Sequence, residues 1–250
     1  MCSIRLPFKS YHYYSASLYE SCQLRDLFVT LSADRTWSSH INRMTEKARS
    51  VTAWILSVFK SRDQEMITLY KSLIRSHLEY CCPLWIPHKV GDTQKIEDVQ
   101  RMFTSKIAQL QGLDYYERLA ALDMLSLQRR RERYIIIHMW KILNGIAPND
   151  MNLNFRHQSR LGLQAERRPL TRHARQTNQT LHDSSFAIVG PTLWNCIPSS
   201  IQGIRNLDPF KAALTKFLKT IPDYPPVSGY PSSGSNSIIS RRTGGSLQGQ

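Results

Sequence analysis

The chain is 250 residues long, and its 33 Lys and Arg against 19 Asp and Glu give a formal charge of +14. Hydrophobic residues at 41% and aromatics at 10% are enough for a sizeable core, which excludes a wholly disordered chain. Five cysteines at 2, 22, 81, 82 and 196 form no CxxC pair, and no apolar run suits a signal peptide or the roughly 20-residue length of a membrane span, so a soluble protein of a reducing intracellular compartment is expected, nuclear or cytoplasmic.

In chain order, Tyr11 to Leu31 holds short aromatic and β-branched runs that predict a hairpin plus a third strand at Leu27-Phe28-Val29-Thr30-Leu31. From Ser38 the period lengthens. Ile41, Met44, Ala48, Val51, Ile55 and Val58 recur at steps of three and four, predicting a helix capped by Ser38 or Ser39, with Arg43, Glu46, Lys47 and Ser50 turned outward. A second helix carries Met66, Leu69, Tyr70, Leu73 and Ile74 and stops before Pro83. Asp92 opens a third with the stripe Ile96, Val99, Phe103, Ile107 and Leu110, ended by Gly112. A short helix around 116–122 follows. Ser126 then caps a long one, with Leu127, Tyr134, Ile137 and Met139 on its apolar side, Trp140 beside them, and Asn144-Gly145 at its close.

Beyond Pro148 the chain reads as an irregular basic segment as far as Asp183. The run Phe186-Ala187-Ile188-Val189-Gly190-Pro191 suggests a short strand, Trp194 and Ile197 suggest anchors, and Asp208-Pro209 starts a last helix with Phe210, Ala213, Leu214, Phe217 and Leu218. From Pro222 onward, Pro, Gly and Ser predict a disordered tail. The expected fold is mainly α: a helical bundle preceded by a small β-hairpin or strand segment and followed by that tail. Its divisions are 1–33, 34–147, 148–221 and 222–250.

Charge is concentrated. Between Arg129 and Arg175 there are eleven Lys or Arg and three acids, and arginine outnumbers lysine ten to one. Guanidinium forks hold phosphate oxygens in pairs, so Arg129, Arg130, Arg131, Arg133, Arg167, Arg168, Arg172 and Arg175 are the candidate nucleic-acid contacts; a solvated surface is the plainer alternative. Tyr134 and Trp140 lie on the same helix, either as rings for a sugar or base or, more simply, as core residues. Gln128-Arg129-Arg130-Arg131-Glu132-Arg133 also has the composition of a nuclear-import signal, a pattern that occurs often by chance.

Catalytic chemistry is harder to find. There is no Asp-Asp pair, no GxxxxGK[ST] or GxGxxG loop and no GxSxG elbow. Asp26 and Asp34 suit a strand end and a turn better than a metal site, since Mg²⁺ needs several converging oxygen ligands. His77, Cys81, Cys82 and His88 are the one group of soft donors. Adjacent cysteines reach one tetrahedral ion poorly, so a buried helix end is preferred over zinc.

The order and spacing of several blocks resemble a known family. Leu24-Arg25-Asp26-Leu27-Phe28-Val29, Trp37-Ser38-Ser39-His40-Ile41 and Lys47-Ala48-Arg49 are similar to the segment just after the catalytic palm in reverse transcriptases of non-LTR, LINE-type retrotransposons of the jockey-like group. The resemblance continues through 69–80, Pro83-Leu84-Trp85, 96–101, 116–119, 127–131 and Trp194-Asn195-Cys196-Ile197-Pro198, covering roughly residues 24 to 220.

The resemblance implies a fragment of an RNA-directed DNA polymerase, comprising primer-grip strands, the helical thumb and a C-terminal extension. The metal-binding aspartates of the family have no counterpart in this sequence, so the chain alone is expected to be inactive and without cofactor; Mg²⁺ would be bound by the missing palm. Its implied partners are RNA and DNA as template and primer, and the palm and endonuclease parts of the same polyprotein. The family usually has Leu-Gly-Val where this chain has Leu27-Phe28-Val29, which puts a grip role for that turn in question. Two alternatives stand beside this reading: a non-catalytic structural or protein-interaction module from a mobile-element relic, and an intact RNA-directed DNA polymerase of which this sequence is a truncated gene reading.

Overall fold

The computed structural model describes residues 11–13, 16–18, 21–148, 185–223 and 237–239. It is mainly helical, with short antiparallel hairpins at the N-terminal end. Strands β1 (Tyr11–Tyr13) and β2 (Ala16–Leu18) pair with Tyr11 opposite Leu18. Strands β3 (Gln23–Asp26) and β4 (Val29–Ser32) pair with Asp26 opposite Val29. Only Leu27 and Phe28 remain for the second turn, and both have positive φ, 43° and 66°. That is the geometry of the tightest hairpin turns, which normally take Asn-Gly. The run 27–31 expected as a strand therefore straddles a turn, and Phe28 occupies a conformation that glycine would adopt without strain.

Helix α1 (Ser38–Val58) buries Ile41, Met44, Ala48 and Ile55 along the predicted stripe. Neither serine caps it. Trp37 holds the cap position, and the Ser38 hydroxyl instead donates to Asp92 Oδ2 at 2.6 Å, tying the start of α1 to the next long helix. The second predicted helix is interrupted. Helix α2 (Met66–Leu69) runs into a π turn (Tyr70–Ile74) and then α3 (Arg75–Glu79). The wider turn shifts the phase, so Tyr70, Ile74 and Leu78 are buried while Leu73 faces out. Helix α4 (Val90–Thr104) buries Ile96, Val99 and Phe103; the last two residues of its expected stripe, Ile107 and Leu110, belong to a following loop and a 3₁₀ turn (Ala108–Leu110), and Gly112 with φ 87° comes after that turn. Helix α5 (Tyr115–Ala121) begins with a full capping box, Asp114 and Glu117 each bonding the other's backbone amide.

Helix α6 (Leu127–Leu143) is capped by Ser126, whose hydroxyl accepts from Arg129 N at 3.1 Å, and Gly145 with φ 70° follows its end. Its first residue, Leu127, belongs to a core built on α1 to α5, and Ile135, Ile136, Met139 and Trp140 belong to a second core. A buried polar network runs from the first core to the start of α6. Tyr70 Oη donates to Gln100 Oε1 at 2.7 Å, Gln100 Nε2 donates to Tyr115 Oη at 2.9 Å, and Glu97 accepts from Tyr115 Oη and from the amides of Leu127 and Gln128.

The second core corrects one expectation. Residues 186–191 do not form a strand but open helix α7 (Phe186–Cys196), with Pro191 inside it. A short unbroken apolar run has no period to separate the two structures. Here the helix wins because Gly190 lets α7 approach α6 closely: a Cβ on it would fall 2.8 Å from Met139 Sδ. Trp194 and Ile197 are buried anchors, as read from the sequence. A one-turn helix α8 (Ser199–Gln202) leads to α9 (Leu207–Thr220), where Phe210, Leu214 and Leu218 are fully buried. Trp140 stacks on Phe210 at 5.5 Å and donates to Ile204 O at 2.8 Å.

Residues 149–184, expected as the irregular basic segment, lie outside the described residues, as does most of 222–250. In the latter, Ile238 is buried in the second core and its amide reaches Glu132. Among the described residues no helix is long and apolar enough to cross a membrane.

Candidate nucleic-acid interface

Four arginines within five helical residues cannot share one face, because successive side chains turn by about 100°. Arg129 is 0% exposed; its Nη2 donates to Pro222 O, and its Nε lies 3.9 Å from Glu132 and 3.8 Å from Asp223. Arg131 is also buried, with its guanidinium 5.2 Å from the Trp85 ring, and desolvation holds its pKa below the ordinary arginine range. The expectation of phosphate contacts is corrected for these two residues, which face the interior. Arg130 forks onto both oxygens of Glu79, and Tyr134 Oη donates to the same carboxylate at 3.1 Å. Arg133 is half-buried, and its Nε donates to Thr215 Oγ1 at 2.9 Å. Arg167, Arg168, Arg172 and Arg175 fall outside the described residues. Trp140 is a core residue, while the half-buried Tyr134 ring lies between Arg130 and Arg133 at 5.7 and 5.8 Å.

A different group of cations is brought together elsewhere. The β3–β4 hairpin stands beside α1 and α3 and encloses a cleft of about 680 Å³. Arg25 and Phe28 come from the hairpin, Arg43 and Lys47 from α1, and His77 and Tyr80 from the far wall. Among the described residues no carboxylate lines it. Among the described residues Arg25, Arg43 and Lys47 form no ion pair. Phe28 is 73% exposed, with the Arg25 guanidinium 5.1 Å from its ring.

The cleft follows from local folding. His40, Arg43, Met44 and Lys47 lie at i, i+3, i+4 and i+7, one face of α1. The hairpin is fixed to that face by His40, whose Nδ1 accepts from Thr30 N at 3.3 Å. Desolvation, followed by the charge of Arg43, lowers the His40 pKa, which favours the neutral imidazole this bond requires. The sequence already placed Arg43 and Lys47 outward. What it lacked was the turn at Leu27-Phe28, which brings Arg25 and Phe28 over α1.

The other candidates resolve into structural roles. Asp34 accepts from Thr36 N at 3.0 Å and Thr36 Oγ1 at 2.8 Å, a turn whose hydrogen bonds lower its pKa. Cys82 is buried, and desolvation pushes its thiol up to about 12, while Cys81 is exposed in a left-handed conformation with φ 51°. Among the described residues no three His, Cys, Asp or Glu side chains are grouped to hold a metal ion. Compared with protein-family models, curated proteins and solved structures, the chain matches none.

Proposed function

We propose that the chain binds nucleic acid as a template–primer-holding piece of a non-LTR-type reverse transcriptase, without polymerase activity of its own. The cleft is the observation that carries this reading. Three cations that, among the described residues, have no ion-pair partner and no lining carboxylate, beside a projecting aromatic ring, are what a strand of phosphates and bases calls for. The sequence blocks between Leu24 and Pro198 supply the family, and the missing metal-binding aspartates remove the chemistry.

The test is fluorescence anisotropy of a labelled RNA/DNA hybrid titrated with the full chain at rising salt. Three phosphate contacts in the cleft give a log–log slope of about −3. Arg43→Gln and Lys47→Gln are each expected to lower its magnitude by about one and to weaken all sequences alike. A flat salt response would remove the proposal.

A second reading has an observation of its own. Leu24 and Leu27 are 60% and 75% exposed on the same hairpin as Phe28, an apolar edge suited to a protein partner. Concentration-dependent association of the chain with no affinity for the hybrid would select that reading.

A further inference from the structure

The face of α9 that stays out of the second core carries a regular row of polar groups. Phe210, Leu214 and Leu218 are buried at steps of four, and one residue on, Lys211, Thr215 and Lys219 repeat the same step. Lys216 lies beside them and Arg133 of α6 stands across, so that with Ala212 they line a groove of about 450 Å³. From Lys211 to Lys219 the row covers about 12 Å of helix.

Arg133 is set in place rather than neutralised. Its Nε donates to Thr215 Oγ1, and that hydroxyl donates in turn to Lys211 O at 2.7 Å. Among the described residues no carboxylate forms an ion pair with Arg133 or Lys216. Desolvation disfavours the charged guanidinium, and the nearby charge of Arg130 adds to that. Lys211 and Lys219 do have partners, Asp208 at 3.0 Å and Asp123 at 2.7 Å, but those side chains are 89% and 80% exposed. Exposed pairs of this kind are weak and yield to a competing anion.

We propose that this groove between α6 and α9 is a second anion-binding site, which takes the phosphodiester backbone of a single nucleic-acid strand. The inference rests on the nucleic-acid reading and extends it to a surface separate in residues from the cleft. A linear row of cations suits charges repeated along a chain better than one compact phosphate. Among the described residues no aromatic side chain lines the groove, so none of them offers a surface there on which bases stack. Contact there is with the backbone alone and carries no sequence information.

The experiment uses the full chain and two variants on the exposed side of α9, Lys216→Gln and Lys211→Gln/Lys216→Gln, against a labelled single-stranded oligonucleotide at several salt concentrations. Circular dichroism confirms that the helices persist. The expected result is a salt slope shallower by about 0.7 for the single variant and about 1.4 for the double, in oligonucleotides of any sequence. Arg43→Gln in the cleft is measured in parallel. If Arg43→Gln weakens binding while the double α9 variant leaves slope and affinity unchanged, the groove is not a nucleic-acid site and the cleft reading stands. If the α9 variants weaken inorganic triphosphate binding but not the oligonucleotide, the strand assignment is overturned in favour of a small anion. If the unaltered chain binds neither the oligonucleotide nor the RNA/DNA hybrid, both proposals fall together.

Discussion

The arginines of α6 and the cations of the cleft are the same chemistry put to opposite uses. On α6, Arg129 and Arg131 are enclosed by the fold and Arg130 is spent on Glu79. In the cleft, Arg25, Arg43 and Lys47 come from a hairpin and a helix that meet only after folding, and among the described residues no carboxylate lines the space around them. A dense run of charge in the sequence thus marks a seam inside the molecule, and a sparse set marks its open surface. The difference lies in which face of each helix the packing requires.

The sharpest way to break this contrast is to remove an enclosed arginine. Arg129→Ala leaves Glu132 and Asp223 facing each other without their cation, and loss of one partner from a buried charge cluster typically costs about 3–5 kcal/mol. Urea unfolding should show that loss, while chain that remains folded keeps its salt slope for nucleic acid. A reduced slope at unchanged stability would mean that Arg129 contacts ligand after all.

The same seam should respond to pH. Desolvation raises the Glu132 carboxyl to about 7, with Arg129 opposing. Its ordinary value is 4.5, so between those values the folded state holds a proton that the unfolded state has released. Stability therefore falls as pH rises through that window and levels off above it, by about 3 kcal/mol in all for a shift of this size. Glu132→Gln should flatten the profile between about pH 4.5 and 7 relative to the unaltered chain. An unchanged profile would assign the pH dependence elsewhere.

The smallest effect in energy is the most informative about the cleft. Phe28→Gly relieves a positive φ of 66° and should stabilise the chain by about 1 kcal/mol, yet it removes the exposed ring and should weaken nucleic-acid binding severalfold. Stability and affinity are expected to move in opposite directions, checked by thermal melting and anisotropy on one preparation. Tighter binding would show that the ring obstructs the cleft.

Much of the frame was legible because apolar residues at helical spacing must face inward. Most of the α1 stripe, though not the exposed Val58, the buried run Ile96, Val99 and Phe103, and Phe210, Leu214 and Leu218 follow from that rule, while the Ser126 cap follows from the need of first-turn amides for an acceptor. The arginine run misled because charge density carries no direction. Reading 127, 131 and 135 as one face would have put Arg131 between Leu127 and Ile135, both buried. The α7 segment misled for the opposite reason, since uniform apolarity has no period, and what decides its structure is the close approach at Gly190. The hairpin turn escaped because Leu-Phe is a poor sequence for positive φ, and the cleft depends on that turn.

The Ser126 amide and hydroxyl donate to Asp223 at 2.6 and 2.7 Å, across 97 residues of chain. As the polypeptide leaves the ribosome, every residue of the first core has emerged well before Asp223 does. The start of α6 must then wait for an acceptor made almost a hundred residues later. Any nonsense mutation between Ser126 and Asp223 would remove this acceptor, so a helix start depends on chain made 97 residues after it.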